Sequence, residues 1–167
     1  MALSHSVIEK QGITEDDLTK LLVGDVCEIF GTMVGIEGVT YLAKVDVATQ
    51  FKNSVTAMVG LAGTCNGMIC LHTTHALALS FTASMLGMDV SEVEDDMNDA
   101  MGEIANMAGG SFKHHLSNGG DDIKLSTPSV VTGTDYSFSS GSPGETLTLL
   151  FGACDEEFTI SVVLKMD

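Results

Sequence analysis

The chain has 167 residues, 44% of them hydrophobic and 18% charged, a composition typical of a globular protein and not of a disordered one. This length predicts a single domain over residues 1–167. Seven basic residues against 23 acidic ones leave a net charge of −16, which argues against nucleic acid or an anionic membrane surface as a partner.

The first residues and the cysteines indicate a cytoplasmic protein. The start, MALSHSVIEK, has no apolar run like that of a signal peptide, and no apolar stretch reaches the roughly 18 residues of a membrane span. Cys27, Cys65, Cys70 and Cys154 form no close CxxC pair. We therefore interpret them as small buried hydrophobic residues and expect no zinc site.

A first helix is predicted over residues 14–35. Thr14 can begin it with a capping box, and apolar residues such as Phe30 and Val34 recur at helical spacing. Alternating valines indicate a strand within 38–49.

A hairpin is predicted next from the β-prone segments SVTAMVGLAG and GMICLH. Asn66-Gly67 lies where they join. This pair favours a type I′ turn, because both central positions of that turn need positive φ.

Two further helices follow. One is predicted to be capped by either of two consecutive threonines and to end near Gly87. The next is predicted to open with a capping box of Ser91 and Glu94 and to run through DDMNDAMGEIANMAGGSFKHHL.

The last part of the chain is predicted to be mainly β. Short strands are expected over 123–125, 129–132 and 135–139, then a loop at SSGSPGE and a hairpin turning at Asp155-Glu156. The two hairpins share the order apolar strand, Gly, Ala, Cys, turn, apolar strand, and each half has a helix with an acidic face. We therefore predict an α+β fold, with a mainly antiparallel sheet packed against long helices and an internal repeat of an α-β-β unit.

The helix after residue 96 has two different faces. With about 100° per residue, Asp99, Glu103 and Asn106 fall on one narrow stripe, which we expect to be exposed. The opposite side is apolar and is predicted to be buried. Its residues are Met97, Ala100, Met101, Ile104, Ala105, Ala108 and Phe112.

Glycines flank this stripe. Gly102 and Gly110 lie beside it, although a glycine inside a helix costs about 1 kcal/mol relative to alanine. Either the helix packs closely on another element, or the backbone of a partner must approach there. Without further context, an acid and an amide three residues apart are typical of a solvated helix face, and neither a nucleophile set nor a phosphate-binding Gly-rich loop is recognisable.

The sequence resembles the CheC/CheX/FliY family of chemotaxis phosphatases, and within it the CheX type. The resemblance rests on DDMNDAMGEIANMAGGSFKHHL with its flanks MLGMDVSEVE and LSTPSVV, on the early helix GDVCEIFGTMVG, and on GMICLHTTHALALSFTASMLGM. The family signature is an acidic residue or Ser, three residues, Glu, two residues, Asn. Here it reads Asp99-x-x-x-Glu103-x-x-Asn106.

This resemblance implies a CheC-like fold and a function. Proteins of the family hydrolyse the aspartyl phosphate of a CheY-like response regulator, and the regulator itself carries the Mg²⁺. Asn106 would orient the attacking water, and Glu103 would pair with the regulator's active-site lysine. Asp99, Gly102, Gly110 and Lys113 would contact the partner, with Lys113 offsetting local negative charge. A homodimer joined across a sheet edge is also implied.

The first helix has an incomplete counterpart of the signature. Glu28 is present, but Gly31 stands where the asparagine would be. Asp25, Glu28 and Thr32 are expected to share an exposed stripe. Without the amide we predict no catalysis there, and one site per chain fits the CheX type.

Other interpretations remain open. A binding module of the same fold could dock a response regulator or motor-switch component without hydrolysis, and an inert domain is a third possibility. His72 with His75, or His114 with His115, could touch a metal. Adjacent histidines on a helix point about 100° apart, however, and no further ligands are evident, so we expect no metal site.

Overall fold

The computed structural model describes residues 3, 9, 11–139 and 145–165. Three long helices lie in this part of the chain: α1 (Glu15–Ile29), continued by a π-helix (Phe30–Val34), α2 (His75–Leu86) and α3 (Met97–Lys113). The strands are β1 (Thr40–Val45), β2 (Gln50–Gly63), β3 (Asn66–Thr74), β4 (Ile123–Leu125), β5 (Ser129–Ser137), β6 (Thr146–Ala153) and β7 (Glu156–Lys165).

These seven strands form one antiparallel sheet in the order β1-β6-β7-β3-β2-β4, with β5 also paired to β2. The β2–β3 and β6–β7 hairpins join through their second strands, and α1 packs against α3. This is the arrangement that two copies of an α-β-β unit would produce. The predicted α+β architecture is therefore confirmed.

The core lies between the sheet and the helices. Phe30 of the π-helix, Phe81 of α2 and Phe158 of β7 meet there, with ring centroids 4.8 to 5.5 Å apart. All three rings are buried. Full burial of each contributes about 1.5–3 kcal/mol, so this cluster helps to hold two helices on the sheet.

Two predicted helix starts and one helix end are confirmed. Thr14 Oγ1 accepts a hydrogen bond from the Asp17 amide at 3.1 Å, and Thr74 Oγ1 accepts one from Leu77 at 3.1 Å. Gly87 ends α2 with a φ of 64°, which glycine adopts without the steric cost of a Cβ.

The capping box predicted at Ser91 and Glu94 is wrong. The Asp89 carboxylate accepts the Ser91 amide at 2.9 Å, two 3₁₀ turns follow, and α3 begins only at Met97. Glu94 lies 2.8 Å from His75 Nε2 instead. A tertiary contact has thus taken the side chain that the capping box needed.

The turn predicted at Asn66-Gly67 is also wrong. Asn66 begins β3, and Gly67 pairs with Leu61 on one side and Leu164 on the other. A Cβ on Gly67 would lie 2.0 Å from the carbonyl oxygen of Val163. Glycine is required here by the close approach of β7, and no positive φ is involved.

The second hairpin turns at Cys154-Asp155, one residue before the predicted pair. Both residues have positive φ, 52° and 61°, as a type I′ turn requires. Cys154 is exposed, contrary to the expectation that every cysteine is buried.

The remaining β predictions have mixed outcomes. The strand over 123–125 is confirmed, whereas 129–132 and 135–139 belong largely to one strand, β5. The predicted SSGSPGE loop lies mostly outside the described residues. In the described part of the chain, no helix is both long and apolar enough to cross a membrane.

Candidate active site

Helix α3 presents the predicted stripe to solvent. Asp99, Glu103 and Asn106 are all exposed. The seven apolar residues predicted for the opposite face are all buried. The predicted exposure and burial of this helix are therefore confirmed, because helical geometry alone separates the two faces.

Glycine allows α3 to lie close to the sheet. Gly109 is buried, and a Cβ there would lie 3.3 Å from side-chain atoms of both Val59 and Ile69. The helix axis is thus held near β2 and β3 by its small-residue face. The side chains on the opposite face project from a well-supported helix.

The Glu103 and Asn106 side chains form no hydrogen bond within the described residues. They are three residues apart, so they lie about 4.5 Å apart along the helix axis. An exposed carboxylate and carboxamide without internal partners are both available to an external molecule. The amide can donate to one oxygen while accepting from a second group.

A groove lies on each side of this stripe. The first, the β5 groove, has a volume of about 520 Å³ and is lined by Asp99, Gly102 and Glu103 together with Pro128 and Val130. It separates α3 from β5. Its α3 side is acidic.

The second, the α1 groove, separates α3 from α1 and its π-helix. It has a volume of about 500 Å³. Residues of α3 and the following residue, Asn106, Met107, Gly110, Lys113 and His114, line one side. Glu28, Thr32 and Met33 lie opposite.

The two glycines beside the stripe differ. Gly102 is buried, and a Cβ on it would lie 3.3 Å from Pro128 Cβ, so packing within this chain explains this glycine. Its predicted role of making room for a partner is not needed there. At Gly110 the nearest atom to a Cβ is Leu125 Cδ1 at 3.9 Å, an ordinary contact, and the position opens onto the α1 groove. Of these two glycines, Gly110 is the one that leaves open space toward solvent.

Lys113 carries a positive charge and lines the α1 groove about two turns of α3 beyond Asn106. Its Nζ donates to the Ile123 carbonyl at 3.2 Å. An ammonium group has three donors, so two remain for other acceptors. Lys113 also stands in the last turn of α3, where a cation interacts favourably with the helix dipole.

One expectation about α1 needs correction. Glu28 and Thr32 are exposed as predicted, but Asp25 is largely buried and lies 2.7 Å from His115 Nε2. Burial raises the pKa of Asp25, and its hydrogen bond to His115 partly opposes that shift. Nothing in the local sequence links two residues 90 positions apart, so only the packing of α1 on α3 reveals this pair.

The candidate metal-ligand histidines do not converge. His72 is buried on the sheet, whereas His75 pairs with Glu94 at the start of α2. His114 lines the α1 groove, whereas His115 faces Asp25. Among the described residues, no group of three or more His, Cys, Asp or Glu side chains is placed to hold a metal ion.

A larger cavity of about 750 Å³ lies at the start of α2 and is lined by Lys52, His75 and Glu94. None of the predicted site residues lines it. We therefore place the candidate site on α3, where exposed, unpartnered side chains lie between two grooves.

Comparison with known proteins agrees with the family resemblance of the sequence. The family model for the chemotaxis phosphatase CheX matches residues 55–151. A protein of Thermotoga maritima named CheY-P phosphatase CheX is 25% identical over 124 residues, covering 74% of this chain and 80% of that protein.

Solved structures agree. The chemotaxis protein CheX of Desulfovibrio desulfuricans is 29% identical with a TM-score of 0.77, covering 89% of this chain and 99% of the other. A CheX of Borrelia burgdorferi, solved in complex with CheY, BeF₃ and Mg²⁺, is 17% identical with a TM-score of 0.72, covering 90% and 99%. Because the family model spans more than half of its residues, this chain belongs to the CheX family of chemotaxis phosphatases.

Proposed function

We propose that this protein is a phosphatase that hydrolyses the aspartyl phosphate of a CheY-like response regulator. The observation that carries the proposal is the exposed, unpartnered Asn106, one turn beyond Glu103 on a helix held by a buried face. Its membership of the CheX family supports this reaction, as does the Thermotoga maritima relative that is named a CheY-P phosphatase.

The proposed reaction requires few catalytic groups from this chain. An acyl phosphate is already activated, so the nucleophile can be water. Asn106 would hold this water in line with the phosphorus, its amide accepting from the water and donating to a phosphoryl oxygen. Correct positioning is itself a large source of rate in phosphoryl transfer.

Glu103 would fix the approach of the partner. An exposed carboxylate next to the amide can pair with a lysine in the receiver domain of the regulator, and Asp99 extends the acidic surface by one turn. We expect Mg²⁺ to be held by the receiver, where it offsets the charge of the phosphoryl group. The complex of a Borrelia burgdorferi CheX with CheY, BeF₃ and Mg²⁺ supports a partner of this kind.

The alternative is a binding module of the same fold that docks a regulator without hydrolysis. A receiver loaded with phosphate from a small phosphodonor distinguishes the two. Added wild-type chain should accelerate the release of inorganic phosphate well above the receiver's own rate. Binding without any acceleration would remove the enzymatic proposal and leave the module.

Gly110→Ala is expected to separate stability from function. A methyl group there meets only an ordinary contact, so the helix should gain about 1 kcal/mol of unfolding free energy. The same methyl would project into the α1 groove, where crowding a docked receiver by one methyl should raise its Kd by about fivefold or more. Urea unfolding and receiver titration measure the two effects.

Gly24→Ala is the matched control. Gly24 is an exposed helical glycine on α1, and no atom of the described residues would lie within 4 Å of a Cβ there. It should stabilise the chain similarly without changing receiver affinity. If both variants bind the receiver like the wild type, Gly110 is not part of the docking surface.

A cytoplasmic homodimer joined across a sheet edge stays a prediction. Among the described strands, β1 pairs only with β6, so its other side offers a free edge. Sedimentation of the purified chain would establish the oligomeric state.

A further inference from the structure

The most exposed large hydrophobic side chain in the described part of the protein lies in the α1 groove. Met33 is 59% exposed, and the apolar residues Met107, Ile29 and Leu125 line the same groove. Single exposed hydrophobic residues are common, but one that lines a groove together with other apolar residues is typical of an interaction site.

The backbone presents Met33 through a special local structure. The π-helix Phe30–Val34 buries the side chains at its two ends, Phe30 and Val34, and leaves Met33 outside. Gly35 then ends this segment in the left-handed conformation, with a φ of 81°. π-helical turns within α-helices occur frequently at functional sites, and this one directs Met33 toward α3.

The α1 groove is continuous with the proposed site, because Asn106 lines it. Its cationic end carries Lys113 beside the exposed imidazole of His114. In a chain with 23 acidic residues and seven basic ones, all of them lysines, such a position is unusual. Carboxylates on the surface of a receiver domain would be complementary to this end.

The shape of the surface around α3 also favours a receiver domain as the partner in this groove. If Glu103 and Asn106 enter the active site of a receiver, the loops that surround that site must lie in the grooves beside α3. The β5 groove has two carboxylates, Asp99 and Glu103, and no basic residue, whereas the α1 groove has one carboxylate, Glu28, together with Lys113 and four apolar side chains. The α1 groove is therefore the better match for an apolar loop of an acidic partner.

We infer that the receiver domain docks in the α1 groove, with an apolar segment of its surface against Met33 and Met107 and acidic residues of its surface toward Lys113. This inference rests on the proposed function and extends the docking surface from α3 to α1. The segment of α1 that carries the incomplete signature then has a role in binding. Gly31 supplies no amide, but the π-helix that contains it forms one wall of the binding groove.

The test is titration of a receiver from the same genome, loaded with beryllofluoride as a stable phosphoryl mimic. Met33→Ser should raise the Kd by about tenfold, the loss expected when one apolar side chain is no longer buried at the interface. Met33→Leu should bind nearly as well as the wild type. At a concentration of chain below the Kd, phosphate release should fall with Met33→Ser by the same factor as the affinity and stay near the wild-type rate with Met33→Leu.

Met88→Ser is the matched control, since Met88 is 44% exposed and does not line the groove. Its Kd should equal that of the wild type. Met33→Ser binding as tightly as the wild type would overturn the inference, as would failure of the wild type to bind any receiver. If the wild type binds but releases no phosphate, the proposed enzymatic function fails. The effect of Met33→Ser on the Kd then still shows whether the receiver docks in the α1 groove.

Discussion

Replacing Asn106 by alanine should lower the rate of phosphate release from a saturated receiver by about 10²-fold, the usual cost of removing one positioned hydrogen-bonding group. The amide projects from an exposed position and forms no hydrogen bond within the described residues, so the fold should be unaffected. The Kd for a beryllofluoride-loaded receiver should change little, because docking would depend on Glu103 and the grooves. A fall in kcat with a stable Kd is the signature of a group that acts on water.

Two further variants make this result specific. Asn106→Gln keeps the amide but moves it by one methylene, so it should also lose most of the activity if position is what matters. Gln50→Ala removes an exposed amide at the start of β2, away from α3, and should leave the rate unchanged. An Asn106→Ala protein with wild-type kcat would show that another group orients the water.

The second large effect concerns His72 and stability toward acid. Burial lowers the pKa of His72 to about 4. Its Nδ1 lies 2.8 Å from Thr56 Oγ1 and its ring stacks on Phe51 at 4.7 Å, whereas Nε2 has no hydrogen-bond partner among the described residues. The folded protein therefore holds this ring neutral in a place where the described residues offer no acceptor for a proton on Nε2.

The direction of the pH effect follows from linkage. The unfolded chain binds a proton at this histidine below about pH 6.5, whereas the folded chain does so only near pH 4. The stability that His72 contributes is thus complete above pH 6.5 and is lost as the pH falls toward 4. Between pH 7.5 and pH 4.5 we expect a loss of about 2–3 kcal/mol from this group, measured by urea unfolding.

His72→Phe should remove that part of the pH dependence. Phenylalanine keeps an aromatic ring against Phe51, and Thr56 retains its 2.8 Å hydrogen bond to the Tyr136 hydroxyl. The difference in unfolding free energy between the two pH values should shrink by about 2–3 kcal/mol, whatever the stability at neutral pH. The control His114→Gln, at an exposed position, should behave like the wild type. Parallel pH curves for His72→Phe and the wild type would contradict the assignment.

The reliability of sequence reasoning in this protein varies with the range of the interaction. Helix α3 was predicted with both faces correct, since a repeat of 3.6 residues is a local property. The threonine caps of α1 and α2 are local in the same way. The capping box of Ser91 failed because Glu94 turned to His75, and the Asn66-Gly67 turn failed because β7 needed the glycine.

The amino-acid sequence by itself determined the exposed stripe of Asp99, Glu103 and Asn106, the apolar face opposite it, and the resemblance to a phosphatase family. Each of these depends on residues within a few turns of one helix. Only the tertiary structure decided that Gly102 lies under Pro128, that Asp25 meets His115, and that Met33 faces Asn106 across a groove. These arrangements join elements far apart in the chain, and they exist because α1, α3 and β5 pack beside one another on a common sheet.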